Sequence, residues 1–359
     1  MPVEMIGWIA PRVSSEVVAP SGPPFNADVI ATTARTHEKA DFDRVLIGYF
    51  SDAPDGFLIG AHAATVTNRL GLLLAHRPGF VSPTLAARKL ATLDHLSGGR
   101  LAVHIIAGGS DSDQAKDGDF TNHAGRYRRV SEYIALMQRT WTSSAPFDHA
   151  GEFYRVSGTY SDIRCKQIPH IPIYGGGGSN DAIQALAPHV GHYMLWGEPL
   201  RDTAAFMEQV RQVAMAAGKS SPRFSLSTRP ILAETDDKAW DRARDILRRV
   251  HQRRGAPPSK PENLASQRLL TAAAAAEVHD TCLWMKLAEA TGARGNSTAL
   301  VGAPDTVAKA LLAYYKLGAS SLLIRGYEPL DDAEQYGAEL IPLVRKLVAE
   351  IDAQSPGQR

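Results

Sequence analysis

Apolar and polar positions along this chain switch repeatedly between two periods. Short apolar runs at 5–10, 45–47, 70–75, 101–107, 173–175, 192–195, 224–233 and 321–324 are each followed by a longer stretch with apolar residues three and four apart. Those stretches are 27–40, 57–67, 83–96, 127–141, 181–187, 203–217, 237–250 and 334–351. A short continuous apolar run reads as a buried strand, and helical spacing reads as an amphipathic helix covering it. Eight such βα units in series predict a (β/α)8 TIM barrel. The competing arrangement is an open doubly wound sheet, whose glycine-rich dinucleotide fingerprint belongs after the first strand. Nothing of that kind follows Ile9.

The stretch 82–109 shows the local logic. Pro83 suits a first helical turn, Ala86, Leu90 and Leu93 recur at helical spacing, and Gly98-Gly99 can supply the positive φ that ends the helix. The run 101–107 then reads as a strand ending in Gly108-Gly109, where something can approach the backbone closely.

Three stretches exceed ordinary loop length, and the chain is expected to be a single barrel domain over 1–359 carrying them as insertions. The first, 111–125, is rich in Asp and Gly. The second, 146–167, contains 147–154, which reads as a hairpin turning at Ala150-Gly151. The third, 253–300, opens on the breaker Gly255-Ala256-Pro257-Pro258, is helical over 269–286 by its alanines, and is flexible and basic over 291–297. It reads as a lid over the active end of the barrel or as a surface insertion.

Charge and cysteine content narrow the class. With 39 basic and 38 acidic residues the net charge is +1, so no global field draws the chain to nucleic acid or an anionic membrane. Cys165 and Cys282 are the two cysteines and have no metal-like spacing. No apolar run approaches a membrane span, and the amino terminus lacks a basic n-region. A cytoplasmic protein with a small-molecule partner is expected.

Candidate chemistry falls after the strands. Gly175-Gly176-Gly177-Gly178-Ser179 joins a strand to a helix, where backbone amides can receive a phosphate or simply make a tight turn. His104 lies within a strand, either as a hydrogen-bonded core residue or beside a cofactor. Trp196-Gly197-Glu198-Pro199 offers an aromatic wall or ordinary strand-end packing. Arg229 precedes Pro230 in a strand, and a barrel-facing arginine needs an anion or a carboxylate partner. Arg325-Gly326-Tyr327 ends the last strand; with Arg294 it can form an oxyanion clamp, or each arginine can be paired structurally. Asp52 and Asp55 can serve a polar substrate or shape a turn, and Asp111, Asp113, Asp117 and Asp119 do not match a calcium loop, so no metal is expected.

Together, Ser82-Pro83-Thr84 with Ala87-Arg88, Thr92 through Arg100, His123-Ala124-Gly125-Arg126-Tyr127, Trp196-Gly197-Glu198-Pro199 and Thr298-Ala299-Leu300-Val301-Gly302 resemble the bacterial luciferase-like flavin-dependent monooxygenases, nearest to the alkanesulfonate monooxygenase branch. The motifs occur in order over 46–340. The resemblance implies a TIM-like barrel that takes reduced flavin mononucleotide (FMN) from a separate NAD(P)H-dependent flavin reductase and reacts it with O2. It places the flavin phosphate on Tyr127, Gly177, Gly178 and Ser179, and the ring beside Leu74, Ala75, His104 and Ala107, with a non-proline cis peptide near Leu74-Ala75. It implies catalytic roles for Trp196, Arg294 and Tyr327, the last as a proton or hydrogen-bond donor, and Arg229 is expected to act with them.

This chain departs from the branch at Ser227 and Arg229, where the seventh strand otherwise carries an Arg and a His, and near Asp52-Ala53, where a cysteine is replaced. The expected substrate is therefore an alkanesulfonate or a more polar sulfosugar such as sulfoquinovose, its sulfonate on Arg229 and Arg294, with Asp52 and Trp196 lining the pocket. Cleavage of the C–S bond would release sulfite and an aldehyde or dicarbonyl. The family implies a homodimer or homotetramer. Hydride transfer with deazaflavin F420 and a non-catalytic flavin-binding barrel are the alternatives.

Overall fold

The computed structural model describes residues 3–254, 261–295 and 297–354. The breaker at 255–258 and Asn296 lie outside the described residues. Eight strands, β1 (Glu4–Ile9), β2 (Arg44–Ile47), β3 (Gly71–His76), β4 (Leu101–Ile105), β5 (Ile173–Gly176), β6 (His192–Trp196), β7 (Arg223–Leu232) and β8 (Ala319–Ile324), pair in parallel in that order. β8 returns to β1, which closes the barrel. The predicted TIM barrel is what forms, because each apolar run is wrapped by the amphipathic helix that follows it.

Those helices are α1 (Ala27–Lys39), α2 (Gly56–Thr65), α3 (Pro83–Leu96), α4 (His123–Thr142), α5 (Asn180–Leu186), α6 (Leu200–Ala216), α7 (Asp236–Arg253) and α8 (Ile341–Gln354), the last led in by Pro329–Gln335 and a π-turn at Tyr336–Leu340. In α3, Pro83 takes the first turn, Ala86, Leu90 and Leu93 are buried, and Gly98 and Gly99 follow at φ of 71° and 89°.

The structure corrects three local readings. A helix at Pro304–Leu317, closed by Gly318 at φ 118°, escaped the sequence pattern, as did Asp111–Lys116 inside the first insertion. The helix expected over 269–286 runs instead over Leu264–Ala275. Beyond it Asp280 takes a positive φ of 51°, and the chain turns back so that Leu283 and Trp284 pair with Leu300 and Ala299. Edge pairing and burial of Trp284 override the helical propensity of the alanines. The hairpin forms as expected, from Phe147–Ala150 and Arg155–Thr159.

Inside the barrel, polar groups fill the amino-terminal end. Glu4 accepts from Arg44 at 3.0 Å, from Tyr174 at 2.9 Å and from Ser321 at 2.9 Å, and His192 stacks on Tyr174 with centroids 4.1 Å apart. Above this layer Ile6, Leu46, Leu73, Ala102 and Leu323 close the lumen, so the usable concavity lies at the carboxyl ends of the strands. Among the described residues no helix is long and apolar enough to cross a membrane.

Candidate active site

One side of the mouth is a compact cradle. The loop from β5 to α5 passes under Tyr127 of α4 so closely that a Cβ on Gly177 would lie 2.8 Å from the Tyr127 hydroxyl and 2.6 Å from Ala182 Cβ. The Tyr127 hydroxyl lies within electrostatic reach of the Ser179 hydroxyl, whose Oγ accepts from the Ala182 amide at 3.1 Å. The Gly177 carbonyl accepts from the Tyr193 hydroxyl at 2.8 Å, which fixes the loop from beneath. Gly178 faces the long insertion: a Cβ there would sit 2.9 Å from the Ala265 amide nitrogen. Tyr127, Gly177, Gly178 and Ser179 are thus brought together, packed so closely that neither glycine could carry a Cβ.

Beside the cradle, Ala75 and His104 are cross-strand partners facing the lumen. The His104 Nε2 is buried and has no hydrogen-bond partner, and burial pushes its pKa down to about 4, so the ring is neutral near pH 7. Ala107 is buried at the end of the same segment. Leu74 differs: its side chain points outward into the main core, against the position a Gly56 Cβ would take. Its backbone alone borders the mouth, because alternate residues of a strand face opposite sides. The expected non-proline cis peptide at Leu74-Ala75 is absent; among the described residues the cis bond is Ile168–Pro169. Trp196, half-buried, and Trp8 supply aromatic walls, Trp8 lying over Gly48 of the β2 end.

The opposite side is arginine-rich. Arg229 is fully buried, and its carboxylate partner is Glu16: Nη1 and Nη2 donate to Oε1 and Oε2 at 3.0 Å each. Its Nε donates to the Arg325 carbonyl at 3.0 Å and Nη2 also to the Gly326 carbonyl at 2.8 Å, while its guanidinium lies 3.8 Å from the Tyr327 ring centroid. Of the two partners a barrel-facing arginine can take, the fold supplies the carboxylate, so Arg229 has no surface left to receive a substrate anion. Tyr327 is equally enclosed; its hydroxyl is buried without a partner, and burial raises its pKa to about 12.

Arg325 shares Glu16 through Nη2 at 3.0 Å and lies 5.0 Å from the Trp8 ring, with 27% of its side chain exposed. Burial opposes ionisation of Glu16, yet the two guanidiniums hold its carboxyl far below the usual range. Burial and the neighbouring Arg229 lower Arg325 to about 10. Arg294 is exposed on the insertion. Arg254 donates to the Ala290 carbonyl of the insertion at 2.7 Å and lies within electrostatic reach of Glu16; burial and the charge of Arg294 both lower its pKa, and Glu16 raises it. Glu16 escaped the sequence reading; its Ser-Ser-Glu context carries no motif, and 213 residues separate it from Arg229.

Asp52 is exposed on the β2 loop, and Asp55 caps α2 by accepting from the Leu58 amide at 3.1 Å. The aspartates of the first insertion pair with arginines: Asp111 with Arg126, Asp113 with Arg77 and Asp119 with Arg129. Among the described residues no His, Cys, Asp or Glu group is arranged to hold a metal ion.

The long insertion sits on the mouth. Arg268 pairs with Glu198 at 2.6 Å, the Asp111 amide donates to Glu262 at 3.1 Å, and the Leu200 amide donates to Asp280 at 2.9 Å. A helix tethered to the loops after β4 and β6 and seated on Gly178 covers the cradle from above.

A closed parallel barrel whose carboxyl-end loops bring Tyr127, Gly177 and Ser179 together has the architecture of an α/β-barrel enzyme, with its candidate site at the carboxyl ends of the strands. Residues 3–321 match the luciferase-like monooxygenase family, and the chain belongs to it. Its fold is shared with riboflavin lyase, solved with modified FMN and riboflavin (TM-score 0.80, 17% identity, covering 97% of this chain and 92% of that one). DmoA from Hyphomicrobium sulfonivorans is similar (TM-score 0.78, 18% identity, 97% and 89% covered). So is a coenzyme F420-dependent tetrahydromethanopterin reductase from Methanopyrus kandleri (TM-score 0.72, 18% identity, 95% and 99% covered).

Proposed function

We propose that this chain is a reduced-FMN-dependent monooxygenase that cleaves the C–S bond of an organosulfonate, drawing its flavin from a separate NAD(P)H-dependent reductase. The observation that carries the flavin reading is the meeting of Tyr127, Gly177 and Ser179 next to the unpartnered His104 Nε2. A phosphate is suited to a turn whose backbone and hydroxyls, from Tyr127 and Ser179, carry no Cβ at Gly177 or Gly178, and a planar ring with polar edges is suited to Ala75 and the neutral His104 nitrogen, cross-strand partners at the mouth.

When bound, the reduced flavin supplies two electrons, so that one atom of O2 enters the carbon bearing sulfur and the other leaves as water, with sulfite and an aldehyde or dicarbonyl as products. The chain's own residues do the rest. Tyr127 and Ser179 fix the phosphate end, and neutral His104 offers Nε2 to the ring edge as donor or acceptor without adding charge. The helix Leu264–Ala275 shields the seat from water, which strengthens every polar contact beneath it. The anionic half of the reading is supported by the excess of arginine over carboxylate around Glu16. Alkanesulfonates and sulfosugars both satisfy it.

The test is a sulfite-release screen with a flavin reductase, NADH, FMN and air, across alkanesulfonates, sulfosugars and aromatic sulfonates. Sulfite with at least one of them is expected, together with loss of release in Arg294→Ala at unchanged FMN affinity. Turnover of reduced F420 with no flavin-dependent oxygen uptake would overturn the reading.

A further inference from the structure

Two buried or half-buried guanidiniums share a single carboxylate at the ends of β7 and β8. Arg229 and Arg325 both bond Glu16, and Arg254, held to the Ala290 carbonyl, lies within electrostatic reach of that same carboxylate. The acidic groups that follow in the chain are neutralised elsewhere: Glu328 pairs with Arg242 and Arg249, and Asp332 with Arg242. Among the described residues Arg229 and Arg325 share one carboxylate, so the pair carries a positive charge beyond it where water access is reduced, and such a site gains most from receiving an anion.

The two arginines on Glu16 are not equivalent. Arg229 is sealed, with Nε and both Nη atoms engaged and an aromatic ring under its face. Arg325 donates to Glu16 through Nη2, while among the described residues its Nε and Nη1 donate to nothing, and a quarter of its side chain meets solvent beside the Trp8 ring. Arg325 follows the last strand residue and lies two positions beyond Leu323, on the same side of the chain as that lumen-facing residue, so the free edge of its guanidinium is directed over the mouth.

We propose that Arg325 binds the anionic group of the substrate, a sulfonate or an oxyanion of like geometry, with Glu16 and Arg229 as the positioning pair that holds its guanidinium beside Trp8. The assignment rests on the monooxygenase reading for the identity of the anion but not for its existence. Two hydrogen bonds from a planar guanidinium to a tetrahedral or planar oxyanion set orientation as well as affinity. Glu16 limits that affinity, because its negative charge competes for the same guanidinium.

The experiment measures binding of hexane-1-sulfonate, hexanoate and hexan-1-ol to the full chain, with and without FMN, by calorimetry and tryptophan fluorescence. The wild type is expected to bind an anion and not the alcohol. Arg325→Gln should weaken that binding about ten- to a hundred-fold, Arg325→Lys by less, and neither should change FMN affinity. Glu16→Gln keeps an acceptor for both arginines but removes the competing charge, so it should tighten anion binding several-fold. A folded Arg325→Gln that binds the anion as the wild type does overturns the proposal, as does a wild type that binds neither anion. If Arg325→Gln does not fold, Glu16→Gln decides: tighter binding supports the assignment, and unchanged or weaker binding overturns it. Hexanoate bound in place of hexane-1-sulfonate, with loss in Arg325→Gln, refutes the sulfonate reading while the arginine assignment stands.

Discussion

Replacing Gly177 by alanine tests the cradle directly. Gly177 has no positive φ, so alanine brings no backbone strain and the effect is purely one of space. The new methyl would stand 2.6 Å from Ala182 Cβ and 2.8 Å from the Tyr127 hydroxyl, about 1 Å inside ordinary contact. Ala182 is buried on α5 and cannot yield, so the Tyr127 hydroxyl must swing away from the loop and from Ser179. Withdrawing one hydroxyl from a phosphate removes a charge-assisted hydrogen bond of about 1.5–3 kcal/mol, or roughly ten- to a hundred-fold in affinity. FMN titration by quenching of flavin fluorescence reads this, with Gly109→Ala as the control because nothing lies within 4 Å of its added Cβ. Gly178→Ala would press instead on the Ala265 backbone, and should raise hydrogen exchange across Leu264–Ala275. A folded Gly177→Ala protein that binds FMN as tightly as the Gly109→Ala control refutes the cradle.

Further outcomes follow from the same structure. Burial pushes His37, His76, His104 and His192 from 6.5 down to about 4, so the unfolded chain binds up to four more protons between those values. Stability is then complete above about pH 6.5 and falls by up to roughly 5.4 kcal/mol per pH unit as pH drops toward 4. Urea melts at pH 7, 6 and 5 check this, and His76→Gln should reduce the slope by about a quarter. Glu16→Ala leaves the fully buried Arg229 uncompensated and should lower folding stability by about 3–5 kcal/mol in denaturant titration. Arg268→Ala removes the tether to Glu198 and the stacking on Phe206, 4.4 Å away, and should raise hydrogen peroxide release relative to product while FMN affinity holds.

The sequence alone determined the barrel and brought half of the candidate site into view. Each βα unit carries its own signal, because a run buried on both faces and a helix with one apolar side are properties of contiguous residues. The eight strands therefore fell within two residues of their predicted positions. The cradle was legible for the same reason: Gly177, Gly178 and Ser179 adjoin a strand end, and Tyr127 belongs to a motif one helix away. The helix Pro304–Leu317 was missed in the shadow of the long insertion, and 269–286 was misread because helix propensity says nothing of the partner strand that captures Leu283 and Trp284.

Only the tertiary structure decided what the arginines do. The chain shows Arg229, Arg294 and Arg325 as interchangeable cations, whereas closure of β8 onto β1 brings the loop bearing Glu16 against the end of β7 and seals one of them. It leaves Arg325 with a free edge at the mouth and seats Leu264–Ala275 on Gly178. Which carboxylate neutralises which guanidinium depends on distances set by barrel closure across hundreds of residues, and no local pattern of hydrophobic and polar positions encodes them.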